Sequence, residues 1–260
     1  MSDAPSLHAP SLYGQVRERF GPRAAAYLNS AVHAQGPEFA ALRAAVEAQP
    51  AARVLDLGCG AGHVGYQVAP LAAEVVAYDL APEMLDLVAA RARELGFANL
   101  HTRCGAVESL PFADGQFDVV LSRYSAHHWA DPARALAEAR RVLRAGGQFV
   151  LVDVASPGVA LLDTHLQALE VLRDRSHVRD YSAAEWAALG AAAGLRLQRQ
   201  EFARLRLEFA SWVERMATPE PLCQALRLFQ DTACSEVRDY FEIAADGSFS
   251  VDVLTLWAAA

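Results

Sequence analysis

The chain has 260 residues, 53% of them hydrophobic, and a formal net charge of −8. That is enough apolar material for one elaborated α/β core, and the acidic balance argues against a grip on a phosphate backbone, which needs clustered cations. All 23 cationic side chains are Arg, so Schiff-base and other lysine-dependent chemistry is excluded.

The four cysteines, Cys59, Cys104, Cys223 and Cys234, form no CxxC pair and no cluster with histidines. Neither a metal site nor a disulfide framework is expected. Residues 1–20 lack the basic start and continuous apolar stretch of a signal peptide, and no uncharged apolar run reaches membrane-spanning length. The expected address is the cytoplasm.

After a polar start, Phe39, Leu42, Ala45 and Val46 recur at helical spacing over residues 37–48, and Pro50 stops that helix. Arg53 to Leu57 reads as the first core strand. A Gly-rich turn leads into a helix through Val64 and Val68, then Glu74 to Tyr78 reads as a second strand ending at Asp79. Pro82 suits the first turn of a helix over Glu83 to Leu95. Leu100 to Cys104 is a short third strand, and Phe117 to Ser122 a fourth, apolar enough to be covered on both faces. Asp131-Pro132 caps a helix to Arg144, Gly146-Gly147 ends it, and Gln148 to Val152 makes strand five.

Beyond residue 155 the rhythm changes. A helix is expected from Val159 to Arg175, and a capping box, Ser182-Ala-Ala-Glu185, opens another to Gly194. Leu195 to Phe209 and Ser248 to Trp257 alternate as strands do, with helical sequence over 210–240 between them. Repeated strand and helix at short spacing imply a parallel sheet with right-handed crossovers and a site at the carboxyl ends of its strands.

The most informative segment is Val54-Leu-Asp-Leu-Gly-Cys-Gly-Ala-Gly-His-Val-Gly65, where Gly58, Gly60 and Gly62 directly follow the first strand. Gly60, Gly62 and Gly65 also spell GxGxxG, and Asp79 sits where a ribose-binding acid belongs, so a dinucleotide site is a competing reading. Asp56 separates the two. A carboxylate at the turn suits the cationic amino-acid end of S-adenosylmethionine better than a pyrophosphate, which prefers a bare helix N-terminus.

The DLGCGAG run followed by Asp79 resembles the first motifs of class I S-adenosylmethionine-dependent methyltransferases, in particular the ubiquinone/menaquinone C-methyltransferase-like group. Gly105-Ala-Val-Glu-Ser-Leu-Pro-Phe112, Phe117-Asp-Val-Val, Ser122-Arg-Tyr-Ser-Ala-His-His-Trp129 and Arg141-Val-Leu-Arg-Ala-Gly-Gly147 resemble that group in order and spacing, over residues 54–155. The resemblance implies a Rossmann-like α/β fold: a seven-stranded, mostly parallel sheet whose last strand is antiparallel, with helical lid insertions. It implies a single domain, with residues 1–36 as an N-terminal lid, 37–155 as the cofactor-binding core, and 156–260 as substrate-side helices and the last two strands.

The resemblance also carries roles onto matching positions. Asp56 with Gly58, Gly60 and Gly62 would line the methionine moiety of S-adenosylmethionine, and Asp79 would hold both ribose hydroxyls. Met84 would pack on adenine, with the backbone of Ala106 and Val107 reading the ring and Arg123 nearby. One departure stands out: the family usually has an acid where this chain has Ala106. Phe20-Gly-Pro-Arg-Ala-Ala-Ala-Tyr27 resembles the family's N-terminal lid, with Tyr27 closing over the cofactor.

Methyl transfer is an in-line displacement with a neutral leaving group, so the enzyme chiefly aligns a nucleophile and removes any proton it carries. His127 and His128, after strand four, are candidates for base or acceptor holder. The ionisable run Leu172-Arg-Asp-Arg-Ser-His-Val-Arg-Asp-Tyr181 is a second candidate group. There His177 and Arg179 are expected to face substrate, with Arg179 on an anionic or carbonyl group and Tyr181 beside them; the competing reading is a salt-bridged helix end. The expected activity is methyl transfer to a small-molecule acceptor, leaving S-adenosylhomocysteine, by a monomer or homodimer with no metal, nucleic acid or membrane partner. An NAD-dependent oxidoreductase and a non-catalytic S-adenosylmethionine-binding protein are the alternatives.

Overall fold

A computed structural model describes residues 11–20 and 36–260. Helix α1 (Leu12–Phe20) is followed in chain order by α2 (Glu38–Glu47), β1 (Arg53–Leu57), α3 (His63–Val68), β2 (Glu74–Asp79), α4 (Pro82–Glu94), β3 (Leu100–Cys104) and β4 (Phe117–Arg123). Then come α5 (Pro132–Val142), β5 (Leu143–Ala155), α6 (Ala160–Arg173), α7 (Ala183–Ala192), β6 (Arg196–Leu207), α8 (Phe209–Arg215), α9 (Glu220–Asp231), α10 (Ser235–Tyr240) and β7 (Phe249–Ala259). Seven strands form one sheet in the order β3-β2-β1-β4-β5-β7-β6. The strands from β1 to β5 pair in parallel, and β7 lies antiparallel between β5 and β6, as the sequence leads one to expect.

The strands are apolar on both sides because both faces are covered. Leu55, Leu57, Val76, Tyr78, Phe149 and Leu151 face one layer, closed by α5 and by Trp186 of α7. The alternate residues Val54, Val75, Ala77, Val119 and Val150 face the other, closed by α2, α3 and α4. A third cluster joins α6, α8 and α10 to Phe249 and Val251 of β7. β6 is exposed along most of its length, and Arg196, Arg199, Glu201 and Arg204 place charge on that edge, which discourages pairing with another chain.

Two local expectations are corrected. The helix expected to reach Arg144 ends at Val142, and β5 begins at Leu143 rather than Gln148. Leu143 already pairs with Phe117, and pairing resumes at Gln148 with Val119, so residues 144–147 are an irregular bulge within the strand. A Cβ on Gly147 would stand 2.9 Å from the Asp118 carbonyl oxygen; the glycine is there to let two backbones approach, not to stop a helix. The opening segment, read as a polar start, contains α1. The capping box before α7 forms as expected: Ser182 Oγ accepts from the Glu185 N–H, and the Glu185 carboxylate accepts from the Ser182 N–H at 2.8 Å.

Candidate active site

The carboxyl ends of β1 to β4 surround a cleft of about 1000 Å³, at the point where the strand order switches direction between β1 and β4. Its floor is backbone. Gly58 and Gly60 adopt φ of +65° and +49°, a region costly to residues with a Cβ. A Cβ on Gly58 would lie 1.8 Å from Ser125 Oγ, whereas one on Gly60 would meet nothing within 4 Å. Gly62, at φ +83°, starts α3.

Two acids frame this floor. Asp79 accepts through Oδ2 from the Gly60 N–H at 2.8 Å and through Oδ1 from the Ala81 N–H at 2.9 Å. Burial raises its carboxyl, and the backbone donors of Ala81, Gly60 and Leu80 oppose that rise. Asp56 is 1% exposed and neither carboxylate oxygen has a hydrogen-bond partner. Burial, then the charge of Asp79, pushes its carboxyl up to about 7; the Gly65 N–H, which faces it without closing a hydrogen bond, and the Arg123 charge offset this only in part. A buried carboxyl in that state is unfavourable until a proton or a cationic group satisfies it.

Met84 is buried in the wall with Ala81, against Phe20 and Leu87, and Ala106 and Val107 line the same cleft. Glu108 accepts through Oε1 from the N–H groups of Ala130 at 3.1 Å and Asp131 at 3.3 Å, fastening the loop after β4. Arg123 lines the cleft too, but its Nε donates to Glu38 Oε1 at 2.9 Å, and its guanidinium packs 4.4 Å from the Phe39 ring and 4.6 Å from that of Tyr124. Its charge is therefore largely answered by Glu38. Tyr13, Val16 and Phe20 of α1 complete the lining. Tyr27 lies outside the described residues.

A second cavity of about 640 Å³ shares Phe20, Tyr124 and His128 with the first. Tyr124 holds φ +50°, strained for a bulky side chain, and its N–H is fixed on the Val152 carbonyl at 2.9 Å.

His127 stands on the second cavity with Nδ1 2.6 Å from Asp153 Oδ1. The other oxygen of Asp153 accepts from the N–H groups of Ala126 at 2.8 Å and His127 at 3.2 Å. Burial opposes the imidazolium, but the charge and hydrogen bond of Asp153, with Asp180 and Glu170 beyond, lift His127 to about 9. Burial and the His127 charge push His128 down to about 4, and its Nδ1 lies 3.0 Å from the Ser176 carbonyl oxygen. Adjacent rings are thus driven apart, one cationic and one neutral.

The 174–181 loop is arranged differently from the sequence expectation. Val178 N–H donates to the His127 carbonyl at 2.8 Å, and Gln167 Nε2 donates to the Asp180 carbonyl at 2.7 Å while its Oε1 accepts from the Asp180 N–H at 3.0 Å. These bonds turn Asp174 and Asp180 to the second cavity. His177 is buried behind it, Nε2 on Gln167 Oε1 at 3.1 Å, and burial pushes it strongly toward the neutral form. Arg179 is taken up by Asp163 at 3.1 Å and Glu185 at 3.2 Å. Tyr181 packs on Trp186, with ring centroids 5.0 Å apart. His177, Arg179 and Tyr181 line neither cavity.

Sequence reasoning passed over Asp153 and Asp180. The signal for Asp153 was an acid inside the otherwise apolar run from Phe149 to Val154, since a buried charge needs a partner. His127, Asp153 and Asp180 each offer an atom within 4.8 Å of the others, a spacing that invites a metal reading. The 2.6 Å separation of Nδ1 and Oδ1 is instead a hydrogen bond; two atoms bound to one ion would stand about 3 Å apart.

Residues 55–151 match the family model described as a methyltransferase domain. YafE of Escherichia coli (strain K12) is 47% identical over 197 residues, which are 76% of this chain and 95% of YafE. The solved structure of YcgJ from Bacillus subtilis, described as an uncharacterized methyltransferase, superposes with a TM-score of 0.82 at 33% identity, covering 85% of this chain and 97% of that one. The solved structure of BH2331 from Bacillus halodurans C-125 gives 0.83 at 31% identity, covering 86% of this chain and 99% of that one.

Proposed function

Since the chain belongs to the S-adenosylmethionine-dependent methyltransferase family, we propose that it transfers a methyl group from S-adenosylmethionine to a small-molecule acceptor. The observation that carries the choice of cofactor is the buried, unpartnered carboxyl of Asp56. It suits an ammonium group, and it would repel the pyrophosphate of a nicotinamide dinucleotide from the same turn.

In this reading Asp56 holds the ammonium of the methionine end, and the backbone at Gly58, Gly60 and Gly62 lines that end. Asp79, already oriented by Gly60 and Ala81, keeps lone pairs for the ribose hydroxyls. Met84, Ala106 and Val107 flank the adenine, and Arg123, neutralised by Glu38, is wall rather than anion clamp. Bound there, S-adenosylmethionine supplies an electrophilic methyl group on a sulfonium. The leaving sulfur becomes neutral, so this chain needs no acid for it and contributes alignment and dryness; α1, through Tyr13, Val16 and Phe20, excludes water from the cleft.

The acceptor enters the second cavity, across the shared wall of Phe20, Tyr124 and His128. A net charge of −8 favours a small acceptor over nucleic acid. Among the described residues no helix is long and apolar enough to cross a membrane, and the proposal includes a cytoplasmic address. Calorimetric titration of the purified protein with S-adenosylhomocysteine and with NAD tests the reading. Saturable binding of the first alone is expected; binding of NAD in its place overturns it.

A further inference from the structure

We propose that the second cavity is an oxyanion site, in which His127, set by Asp153, and Asp180 together hold the acceptor as the anion of a weak oxygen acid carried on an apolar body. Only the word acceptor rests on the methyltransferase reading; the anion site stands on the chain's own residues.

His127 cannot turn freely. Its Nδ1 is committed to Asp153 Oδ1, and the other oxygen of Asp153 is anchored on two backbone N–H groups. Its Nε2 makes no hydrogen bond within the described residues, and the side chain keeps 18% exposure on the cavity. Asp180 is 1% exposed, and its Oδ2 is buried with no hydrogen-bond partner, 3.9 Å from His177 Nε2.

The groups facing His127 are Asp153 from β5, Glu170 from α6, Asp180 and His177 from the following loop, and its neighbour His128. Most are already answered. Glu170 pairs with Arg173 at 3.4 Å, and His128 and His177 are held neutral. Burial, then the charge of Glu170, raises the Asp180 carboxyl well above the carboxylate range against the opposing charge of His127, which favours the protonated form that can donate. With Asp180 uncharged, the cationic state of His127 rests on the Asp153 contact, with Glu170 as support. One imidazolium N–H and one carboxylic O–H are left unspent.

Polar atoms of His127 and Asp180 lie within 4.8 Å of each other. Both side chains line the same cavity, where donors on its wall can converge on one oxygen, because each bond spans about 2.8 Å. An amine there would meet a cation and a proton; an oxyanion meets two donors. The rest of the wall carries Asp174, Arg215 and the Arg173–Glu170 pair, while Val154, Leu205, Leu207, Trp212 and Met216 supply the apolar surface that buries the rest of the molecule. Ionisation balances simply. The O–H bond of the acid breaks heterolytically and its electron pair stays on oxygen. The proton goes to water, or to His127 Nε2 in the fraction of protein whose ring is neutral.

The test uses the full-length protein and 4-nitrophenol, whose phenolate absorbs visible light, with 4-nitroanisole as a non-ionisable partner of similar shape. The protein should favour phenolate over phenol by about tenfold, as expected of one hydrogen bond to a charged group, and so lower the apparent ionisation midpoint of the probe by about one pH unit. His127→Gln and Asp153→Asn should erase that shift while S-adenosylhomocysteine binding is kept. An unmoved midpoint, equal affinity for 4-nitroanisole, or a shift lost to EDTA and restored by a divalent cation overturns the anion site. If the variants do not fold, the comparison of the two probes on the unaltered protein still decides. A protein that shifts the probe but ignores S-adenosylhomocysteine keeps the anion site and fails the methyltransferase reading instead.

Discussion

The backbone N–H of Gly60 donates to Asp79 Oδ2 at 2.8 Å, and with the Gly58 and Cys59 N–H groups on the Tyr78 carbonyl it ties the turn after β1 to the end of β2. The floor of the cleft and the acid beside it are therefore a single unit, and a change at either residue reaches the other.

Asp79→Ala removes both the carboxylate and the anchor of the turn. Hydrogen bonds to a charged group contribute about 1.5–3 kcal/mol each, so two lost contacts should raise the dissociation constant for S-adenosylhomocysteine by roughly 10²-fold or more. Calorimetry on the variant checks it, with a thermal melt to establish folding. A change under threefold would remove Asp79 from the site.

Gly58 and Gly60 should answer differently to the same substitution. Gly58→Ala drives a Cβ into Ser125 at a left-handed φ, and overpacking plus backbone strain should cost about 2–4 kcal/mol of stability. Gly60→Ala has open space, so its stability loss should stay near about 1 kcal/mol while cofactor affinity falls, because the new methyl occupies the cleft. Denaturant melts beside calorimetry separate the two; equal stability losses would contradict the geometry.

Asp56 links stability to pH. In the fold it keeps its proton to about pH 7, whereas unfolded it loses it near pH 4. Between those values the unfolded chain binds fewer protons, so the protein loses stability as pH rises across that window and levels off above it. The full effect is on the order of 4 kcal/mol. Asp56→Asn should therefore be more stable than the unaltered protein at pH 8 and no different below pH 4, as read by thermal melts. The same variant should bind cofactor more weakly and lose the increase in affinity expected for the unaltered protein as pH rises through about 7. A stability gap that is flat with pH would count against the buried acid.

Arg179→Ala should leave cofactor affinity and turnover within about twofold and cost under about 1 kcal/mol, the usual value of partly exposed ion pairs. Its guanidinium is held by Asp163 and Glu185 and faces neither cavity. A turnover loss above tenfold with intact cofactor binding would return Arg179 to the substrate.

The short apolar runs that became β1, β2 and β4 could be read because each is buried on both faces and bounded by glycine or an acid. Asp56 and Asp79 lie in β1 and β2, and Gly58 and Gly60 directly follow β1, so the parallel pairing of two consecutive strands brings them together. Residues 144–147 were misread because a glycine pair after a helical run signals a stop, and only the pairing of Leu143 with Phe117 reveals a bulged strand. α1 went unseen because Tyr13, Val16 and Phe20 make an apolar stripe too short to stand out without the cleft they cover.

By itself, then, the order of residues determined the alternation of strands and helices, the glycine turn and the two acids beside it, since these depend on backbone propensity and on contacts near in sequence. The second cavity was decided only by tertiary structure. His127 meets Asp153 across 26 residues, and the 174–181 loop turns Asp180 toward the cavity and Arg179 away from it because Gln167 and the His127 carbonyl capture its backbone. Hydrogen bonds between distant segments have no periodicity to betray them, so which ionisable side chain of a dense run meets the cavity is fixed only when the chain has closed around it.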